Sequence, residues 1–186
     1  FKAGISSVNS AVILAAIKNY VLDVSLLHFD TTTLRLHGEY LGSEAEDPED
    51  PDSAPHITYG HSKDKRPDLK QILFGLTLCN DGYIPLLGRV TDGNRSDSLE
   101  NRFNLTRIKD VLPNPESITL TADSKLFSGD NLLLAKDYGL NIVTLMPKNV
   151  NCWNSAFEAV KGNLQTAPVI REQVKIDEDS GKEVVE

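Results

Sequence analysis

Two aspartates occupy positions where a carboxylate can do chemistry. Asp30 interrupts a strand-like run of apolar residues and threonines, and Asp123 directly follows a short apolar strand. In open α/β sheets, ligands gather at the carboxyl ends of the strands. Two carboxylates on neighbouring strands repel each other there unless a cation lies between them. Mg²⁺ prefers one or two carboxylates together with substrate phosphate, so the pattern indicates a metal site at Asp30 and Asp123.

The residues alone leave a second interpretation of these aspartates open. Asp30 would then cap a turn, and Asp123 would be the N-cap of the helix that follows it, because aspartate is a common capping residue. The pairing of the two acids favours the metal, and nothing in their spacing excludes the caps.

Other kinds of catalytic site find less support in the sequence. The four histidines have no zinc-like spacing, and no serine has a visible histidine partner of the kind that a serine hydrolase needs. The chain has no phosphate-binding loop and no dinucleotide-binding glycine motif. Its two cysteines, Cys79 and Cys152, have no metal-ligand spacing, and we interpret both as reduced structural residues of a cytosolic protein.

The charge of the chain bears on nucleic-acid binding. With 186 residues, 40% hydrophobic and 25% charged, the sequence fits one soluble globular domain, and no apolar stretch approaches the ~20 residues of a membrane span. The formal net charge of −8 opposes DNA binding, but much of it is local, in the runs 44–52 and 172–186. Between them lies a basic cluster of Lys63, Lys65, Arg66 and Lys70. This cluster is either a solvated loop or a contact to DNA phosphates.

Hydrophobic periodicity and turn signals predict a mixed sheet with flanking helices in an α/β architecture. The expected elements, in chain order, are a helix at 10–22, strands at 24–36, 70–78 and 84–90, a helix from 97 to 111, a strand at 118–122, a helix at 131–138 and a strand at 142–146. Asn9 or Ser10 would cap the first helix, and Ser96 or Asp97 the second, because their side chains accept hydrogen bonds from the first turn.

Three sets of residues form longer motifs around these elements. The first is Asp-Thr-Thr-Thr-Leu at 30–34, followed by Tyr-Gly-His-Ser-Lys-Asp-Lys-Arg-Pro-Asp-Leu-Lys-Gln at 59–71. The second is Gly-Asn-Arg-Ser-Asp at 93–97, and the third is Ala-Asp-Ser at 122–124. Together they resemble the motifs of bacterial insertion-sequence transposases of the DDE class, and the resemblance extends from residue 28 to residue 148.

The resemblance implies a ribonuclease H-like fold and a DNA-cleaving activity. Its mixed five-stranded sheet would carry Mg²⁺ or Mn²⁺ ions, held by two aspartates and one glutamate, for an in-line attack on DNA phosphate. Asp30 and Asp123 match the two aspartates. In such an enzyme the basic residues of the cluster would contact DNA, and two further residues would support the site. These residues are Lys63, Lys65, Arg66 and Lys70 for DNA, and Asn94 and Asp97 for support.

The resemblance also implies partners and a setting. The protein would cut and join DNA at the ends of an insertion sequence, with transposon ends and target DNA as partners. It would act as a homodimer in the bacterial cytoplasm, associated with the nucleoid and without a membrane partner.

The third acid of this family is not recognisable in the chain. The Tyr-x-x-Arg-x-x-x-Glu pattern that carries it is missing, and Glu158 is the only glutamate on a helix-like segment. Residues 169–176 and 182–185 indicate a hairpin around Asp-Ser-Gly, which resembles the start of the β-rich insertion that commonly precedes the glutamate. We therefore expect the third ligand to lie beyond residue 186 and this chain alone to be inactive.

The expected organisation has three parts, and two other functions stay open. Residues 1–23 would form a helical segment, 24–149 part of the catalytic core, and 150–186 the start of the β-rich insertion. One alternative is a non-catalytic remnant of a transposase that folds and binds DNA. Another is a metal-dependent nuclease of the same fold.

Overall fold

The computed structural model describes residues 4–40, 54–61, 65–151, 153–163, 174–176 and 183–185. The chain divides into two compact units, Phe1–Met146 and Pro147–Glu186. Of the residues that the sequence analysis singled out, Lys63 and Cys152 lie outside the described residues, as do most of both acidic runs. The three-part organisation expected from the sequence stays a prediction.

The larger unit is built around a five-stranded mixed sheet. Its elements are α1 (Ile5–Tyr20), β1 (Leu26–Leu36), β2 (Lys70–Cys79), β3 (Pro85–Asp92), α2 (Asp97–Val111), a 3-10 turn (Pro115–Ser117), β4 (Thr119–Ala122), α3 (Gly129–Asp137) and β5 (Asn141–Val143). The strand order is β3-β2-β1-β4-β5, with β1–β2 and β2–β3 antiparallel, and β1–β4 and β4–β5 parallel. The predicted α/β, ribonuclease H-like sheet, a three-stranded meander extended by two parallel strands, is confirmed.

The two faces of this sheet differ in burial because side chains alternate along each strand. In β2, buried residues alternate with half-buried ones along the whole strand. Leu27 and Phe29 of β1 lie on the buried face, in one hydrophobic cluster with Leu105 and Ile108 of α2. The opposite face carries Asp30, which is exposed.

The second helix follows its sequence signals, and the first does not. Ser96 caps α2, its side chain accepting from the amide of Leu99 at 3.4 Å, and the helix ends at Val111 as expected. The prediction that Asn9 or Ser10 caps the first helix is wrong, because α1 begins at Ile5. Ser10 lies inside α1 and donates its hydroxyl to the Ser6 carbonyl at 2.8 Å, which satisfies a serine within a helix.

The last predicted strand of the sheet is shorter than expected. β5 ends at Val143 rather than at residue 146, because its partner β4 has only four residues and the final pair is Thr121↔Val143. A strand without a hydrogen-bonding neighbour has no reason to continue.

A backbone crossing joins the loop before β2 to the turn after β3. Thr58 pairs with Gln71 in an isolated bridge, and the Gln71 side chain donates to the Gly93 carbonyl at 2.7 Å. A Cβ on Gly60 would overlap the Gly93 carbonyl oxygen, and a Cβ on Gly93 would overlap the Gln71 carbonyl oxygen. Only glycine allows backbones to approach this closely.

The smaller unit contains a helix and a hairpin. Helix α4 (Trp153–Asn163) stacks Trp153 on Phe157 with their ring centres 4.9 Å apart. The strands β6 (Val174–Ile176) and β7 (Glu183–Val185) pair antiparallel, so the hairpin predicted there is confirmed. Within the described part of the chain, no helix has both the length and the hydropathy that crossing a membrane requires.

The crossing gives a prediction for stability. Replacing Gly93 by alanine should lower the free energy of unfolding by about 3 kcal/mol or more, because the added methyl group overlaps backbone that has nowhere to move. Urea denaturation followed by circular dichroism measures the change. Gly129→Ala is the matched control, since nothing lies within 4 Å of a Cβ at that position. Equal stabilities of the two variants would contradict the prediction.

Candidate metal centre and its surroundings

The pairing of β1 with β4 places the two aspartates side by side. The parallel register of the two strands runs from Leu26↔Thr119 to Phe29↔Ala122. The residue after this pairing is Asp30 on the β1 side and Asp123 on the β4 side. Neighbouring strands lie about 4.8 Å apart, and residues at equivalent register positions share a face of the sheet. Both aspartates are exposed on the same face, at the point where β4 ends.

Each carboxylate has one oxygen oriented by a backbone amide. Asp30 accepts from the amide of Thr31 at 2.7 Å, and Asp123 accepts from the amide of Lys125 at 3.0 Å. In addition, the Thr144 hydroxyl donates to the Asp123 carbonyl at 2.6 Å, which ties the end of β4 to the segment after β5. In each carboxylate the hydrogen-bonded atom is Oδ1, which fixes the orientation of the group on the exposed face.

The capping interpretation of these aspartates is wrong. Asp30 lies within β1, opposite Leu76 of β2, rather than at a turn. The helix after Asp123 is capped by Ser128, whose hydroxyl accepts from the amide of Asn131 at 3.3 Å. Neither aspartate is therefore a helix cap.

This pair of carboxylates suits a hard divalent cation. Mg²⁺ is bound through one or two carboxylates and completes its shell with water and substrate oxygens. Within the described ranges, no group of three or more His, Cys, Asp or Glu side chains could hold a metal ion. Among the described residues, no third His, Cys, Asp or Glu side chain therefore joins the two carboxylates as a metal ligand.

The N-terminus of α2 is tied to β1 next to Asp30. Asp97, the first residue of the helix, accepts a hydrogen bond from the Thr31 hydroxyl at 2.8 Å. Thr31 is buried, and its side chain points to the opposite face from its neighbour Asp30. The sequence indicated Asp97 as a supporting residue but not Thr31, because the contact joins residues 66 positions apart. Asn94 lies exposed in the turn between β3 and α2.

A buried ion cluster also holds the turn between β3 and α2. The Glu100 carboxylate is 2.5 Å from Nε of Arg95 and 3.5 Å from Nη1 of Arg89, and all three side chains are less than 10% exposed. The Arg89 guanidinium also lies 3.7 Å from the centre of the Phe103 ring. Sequence reasoning missed this cluster because its members come from β3, the turn and α2, with no local spacing to reveal it.

The basic residues lie at the other end of the β1–β2 hairpin. Lys70 pairs with Leu36, whereas Asp30 pairs with Leu76, so six residues of strand, about 20 Å, separate Lys70 from the aspartates. Arg66 forms an ion pair with Asp68, to which it donates hydrogen bonds from Nε at 2.8 Å and from Nη2 at 2.6 Å. Lys65 is exposed just before this pair. The acids and the basic cluster therefore form two separate regions.

Two of the cavities among the described residues of the larger unit bear on the site. One, of about 280 Å³, lies beside Asp30 and has walls of Phe74, Leu76 and Leu78 from β2. The other, of about 660 Å³, lies between α1, β3 and α2, and neither aspartate lines it. The smaller cavity therefore adjoins Asp30, and Asp123 lines neither of the two.

Comparison with known proteins gives likenesses of overall fold. No family model matches the chain, and no curated protein matches it. Among solved structures, the Mos1 mariner paired-end complex with Mn is 10% identical, with a TM-score of 0.41 over 84% of this chain and 46% of that chain. The piggyBac transposase synaptic complex with hairpin DNA is 16% identical, with a TM-score of 0.44 over 95% of this chain and 36% of that chain.

A third likeness is to a shorter protein. The catalytic core domain of BIV integrase is 8% identical, with a TM-score of 0.35 over 79% of this chain and 76% of that chain. The chain spans less than half the length of the Mos1 and piggyBac chains. At such identities these likenesses identify none of the functional residues of this chain.

The ion cluster gives a second prediction for stability. Glu100→Gln should lower the free energy of unfolding by about 3 kcal/mol, because it leaves two buried guanidinium groups without their carboxylate. Glu116→Gln makes the same chemical change at an exposed position and should leave stability within about 0.5 kcal/mol of the original. Chemical denaturation compares the two, and similar midpoints would show that the cluster does not stabilise the fold.

The Arg66–Asp68 pair gives a prediction for pH. The hydrogen bonds from Arg66 lower the pKa of the Asp68 carboxyl from 3.8 to about 2. Because the pKa is lowered on folding, the stabilisation from this pair is present above pH 3.8 and is lost as the pH falls through about 2. Carboxyl carbon NMR should give that midpoint for Asp68, and Arg66→Gln should return it towards 3.8. A midpoint that Arg66→Gln leaves in place would contradict the pairing.

Proposed function

We propose that this chain is part of the catalytic core of a DDE-type transposase, which cleaves DNA and transfers its strands at the ends of a bacterial insertion sequence. The observation that carries the proposal is the β1–β4 register, which brings Asp30 and Asp123 together on one exposed face. Two adjacent carboxylates at the end of a parallel strand pair repel each other in the absence of a cation. A site of this kind favours a divalent metal and a phosphate substrate.

The sequence motifs give independent support. The segment at 59–71 and the turn at 93–97, which carry the resemblance to these transposases, meet at the crossing of Gly60, Gln71 and Gly93. The turn then presents Asp97 to Thr31, one residue from Asp30. Two of the motifs thus contact each other in the fold, and the second of them contacts the neighbour of Asp30.

The proposed roles follow from these positions. Asp30 and Asp123 hold the metal through their exposed carboxylates, and the Asp97–Thr31 hydrogen bond holds β1 in place beside them. A bound Mg²⁺ or Mn²⁺ supplies charge stabilisation for the phosphate and lowers the pKa of an attacking water. The DNA phosphates contact the basic cluster of Lys63, Lys65, Arg66 and Lys70. Asn94 supports the turn before α2.

The partners of the proposed enzyme are the transposon ends and target DNA, with a second copy of the protein. The family has a third carboxylate, which the described residues do not bring to this pair. We therefore expect metal binding, rather than DNA cleavage, to be the property that this chain shows by itself.

The same observation favours one alternative. Two carboxylates without a third are also what a non-catalytic remnant of a transposase would retain. A remnant has no need to bind metal, so the metal site separates the two functions.

Metal binding gives the test of the proposed function. Titration of Mn²⁺ followed by electron paramagnetic resonance should show one site, and either Asp30→Asn or Asp123→Asn should weaken it at least about tenfold, since each removes one of two charged ligands. Asp110→Asn, at an exposed position on α2, is the control and should leave the affinity unchanged. Saturable Mn²⁺ binding that survives both substitutions would rule out this site, and the absence of Mn²⁺ binding would favour the remnant.

A further inference from the structure

Aromatic and basic residues lie near the end of the β1–β2 hairpin that is away from the aspartates. This surface, here called the hairpin-end surface, is formed by Tyr40, Tyr59, Lys65, Arg66 and Lys70. Tyr40 follows β1, the two basic residues 65 and 66 precede β2, and Lys70 is the first residue of β2. All five residues are exposed or half-buried.

Tyr59 is exposed although its backbone is held firmly. The adjacent Thr58 exchanges backbone hydrogen bonds with Gln71 at 2.9 and 3.3 Å, and the following residue, Gly60, lies in the close crossing with Gly93. Tyr59 is nevertheless 56% exposed. An aromatic ring on a fixed backbone loses little conformational entropy when it binds a partner, so it is well suited to recognition.

A cation lies next to this ring. The Lys70 ammonium is 6.0 Å from the centre of the Tyr59 ring and donates a hydrogen bond to the carbonyl of Glu39. That distance is the outer limit of a cation–π contact, so the ring itself holds the ammonium only weakly. A phosphate could replace the Glu39 carbonyl as its hydrogen-bond acceptor. The ring and the charge therefore form a pair that one ligand can contact at the same time.

The charge of this surface opposes that of the chain. Among the described residues, Lys65, Arg66 and Lys70 contribute three positive charges, and the neighbouring Glu39 and Asp68 contribute two negative ones. The resulting net charge is +1, where the whole chain carries −8. Asp68 is half of the exposed pair with Arg66, so a phosphate can take its place. These described charges therefore favour an anionic ligand at this surface.

We infer that the hairpin-end surface binds unpaired nucleotides of DNA, with a base stacked on Tyr59 and the adjoining phosphates on Lys65, Arg66 and Lys70. Stacking of bases on aromatic side chains beside a basic groove is the general mode of single-strand binding. Duplex DNA offers no exposed base face to Tyr59. The inference rests on the proposed function for its choice of DNA as the partner.

The hairpin-end surface lies at a defined distance from the proposed metal site. It lies about 20 Å from Asp30 along the hairpin. At about 3.4 Å per nucleotide in a stacked strand, this corresponds to roughly six nucleotides from the proposed site of cleavage. The surface would therefore hold DNA that has opened at that distance from the reacting phosphate.

Binding of short oligonucleotides by the 186-residue chain tests the inference. Fluorescence anisotropy with labelled oligothymidylate should show that Tyr59→Ala weakens binding about fivefold or more, whereas Tyr59→Phe, which keeps the ring, stays within about twofold. Tyr83→Ala is the matched control, because Tyr83 is 68% exposed in the turn between β2 and β3, away from the basic residues. Lys70→Ala should weaken binding and reduce the slope of the logarithm of the binding constant against the logarithm of the salt concentration by about one.

The outcomes separate stacking from simple charge attraction. A loss for Tyr59→Ala on oligothymidylate but not on a duplex of mixed sequence supports the inference. Equal losses on both, no difference between Tyr59→Ala and Tyr83→Ala, or no binding of oligothymidylate by the unmodified chain would overturn it. A strong preference for oligouridylate would identify RNA as the partner and would overturn the inference of DNA binding. Mn²⁺ binding at Asp30 and Asp123 is measured without DNA, so the two proposals can fail separately.

Discussion

The register between β1 and β4 is the constraint on which the proposed chemistry depends. Side chains alternate between the two faces of a sheet, so a slip of one residue would send either Asp30 or Asp123 into the core. The register is held by burial, because Leu27 pairs with Leu120 and both are completely buried. The hydrophobic core thus sets the positions of two charged groups that it does not contact.

Much of the fold was accessible from sequence because its signals are local. The cap of α2 at Ser96 needs only the residues of one helical turn, and the alternation along β2 shows in ten consecutive residues. The ends of α1 and β5 were missed for a different reason. The length of β5 is decided by its partner β4, which sequence patterns do not reveal, and α1 simply continues through Ser10 towards its N-terminus.

The same division applies to the candidate site. Local patterns were enough to select both aspartates: Asp123 follows the end of a strand, where ligands gather, and Asp30 interrupts an apolar, threonine-rich strand. They were not enough to find Thr31 or Glu100, whose roles depend on partners brought together by the complete fold. The basic cluster was visible as charge, but only the strand register shows that it lies about 20 Å from the acids.

The shortness of β4 has a consequence for how the acids can be reached. β1 has 11 residues, yet it pairs with β4 only over Leu26–Phe29. Among the described residues, the rest of β1 pairs with β2 only. β1 is therefore a central strand of the sheet before Asp30 and an edge strand, with an open margin, from Asp30 onward. The acids lie at this inner corner of the sheet, where a bulky polymer can approach along the margin without displacing any of the five strands of the sheet. Thr32, Leu34 and Arg35 are exposed along the margin, and the charge of Arg35 discourages the pairing of two such edges with each other.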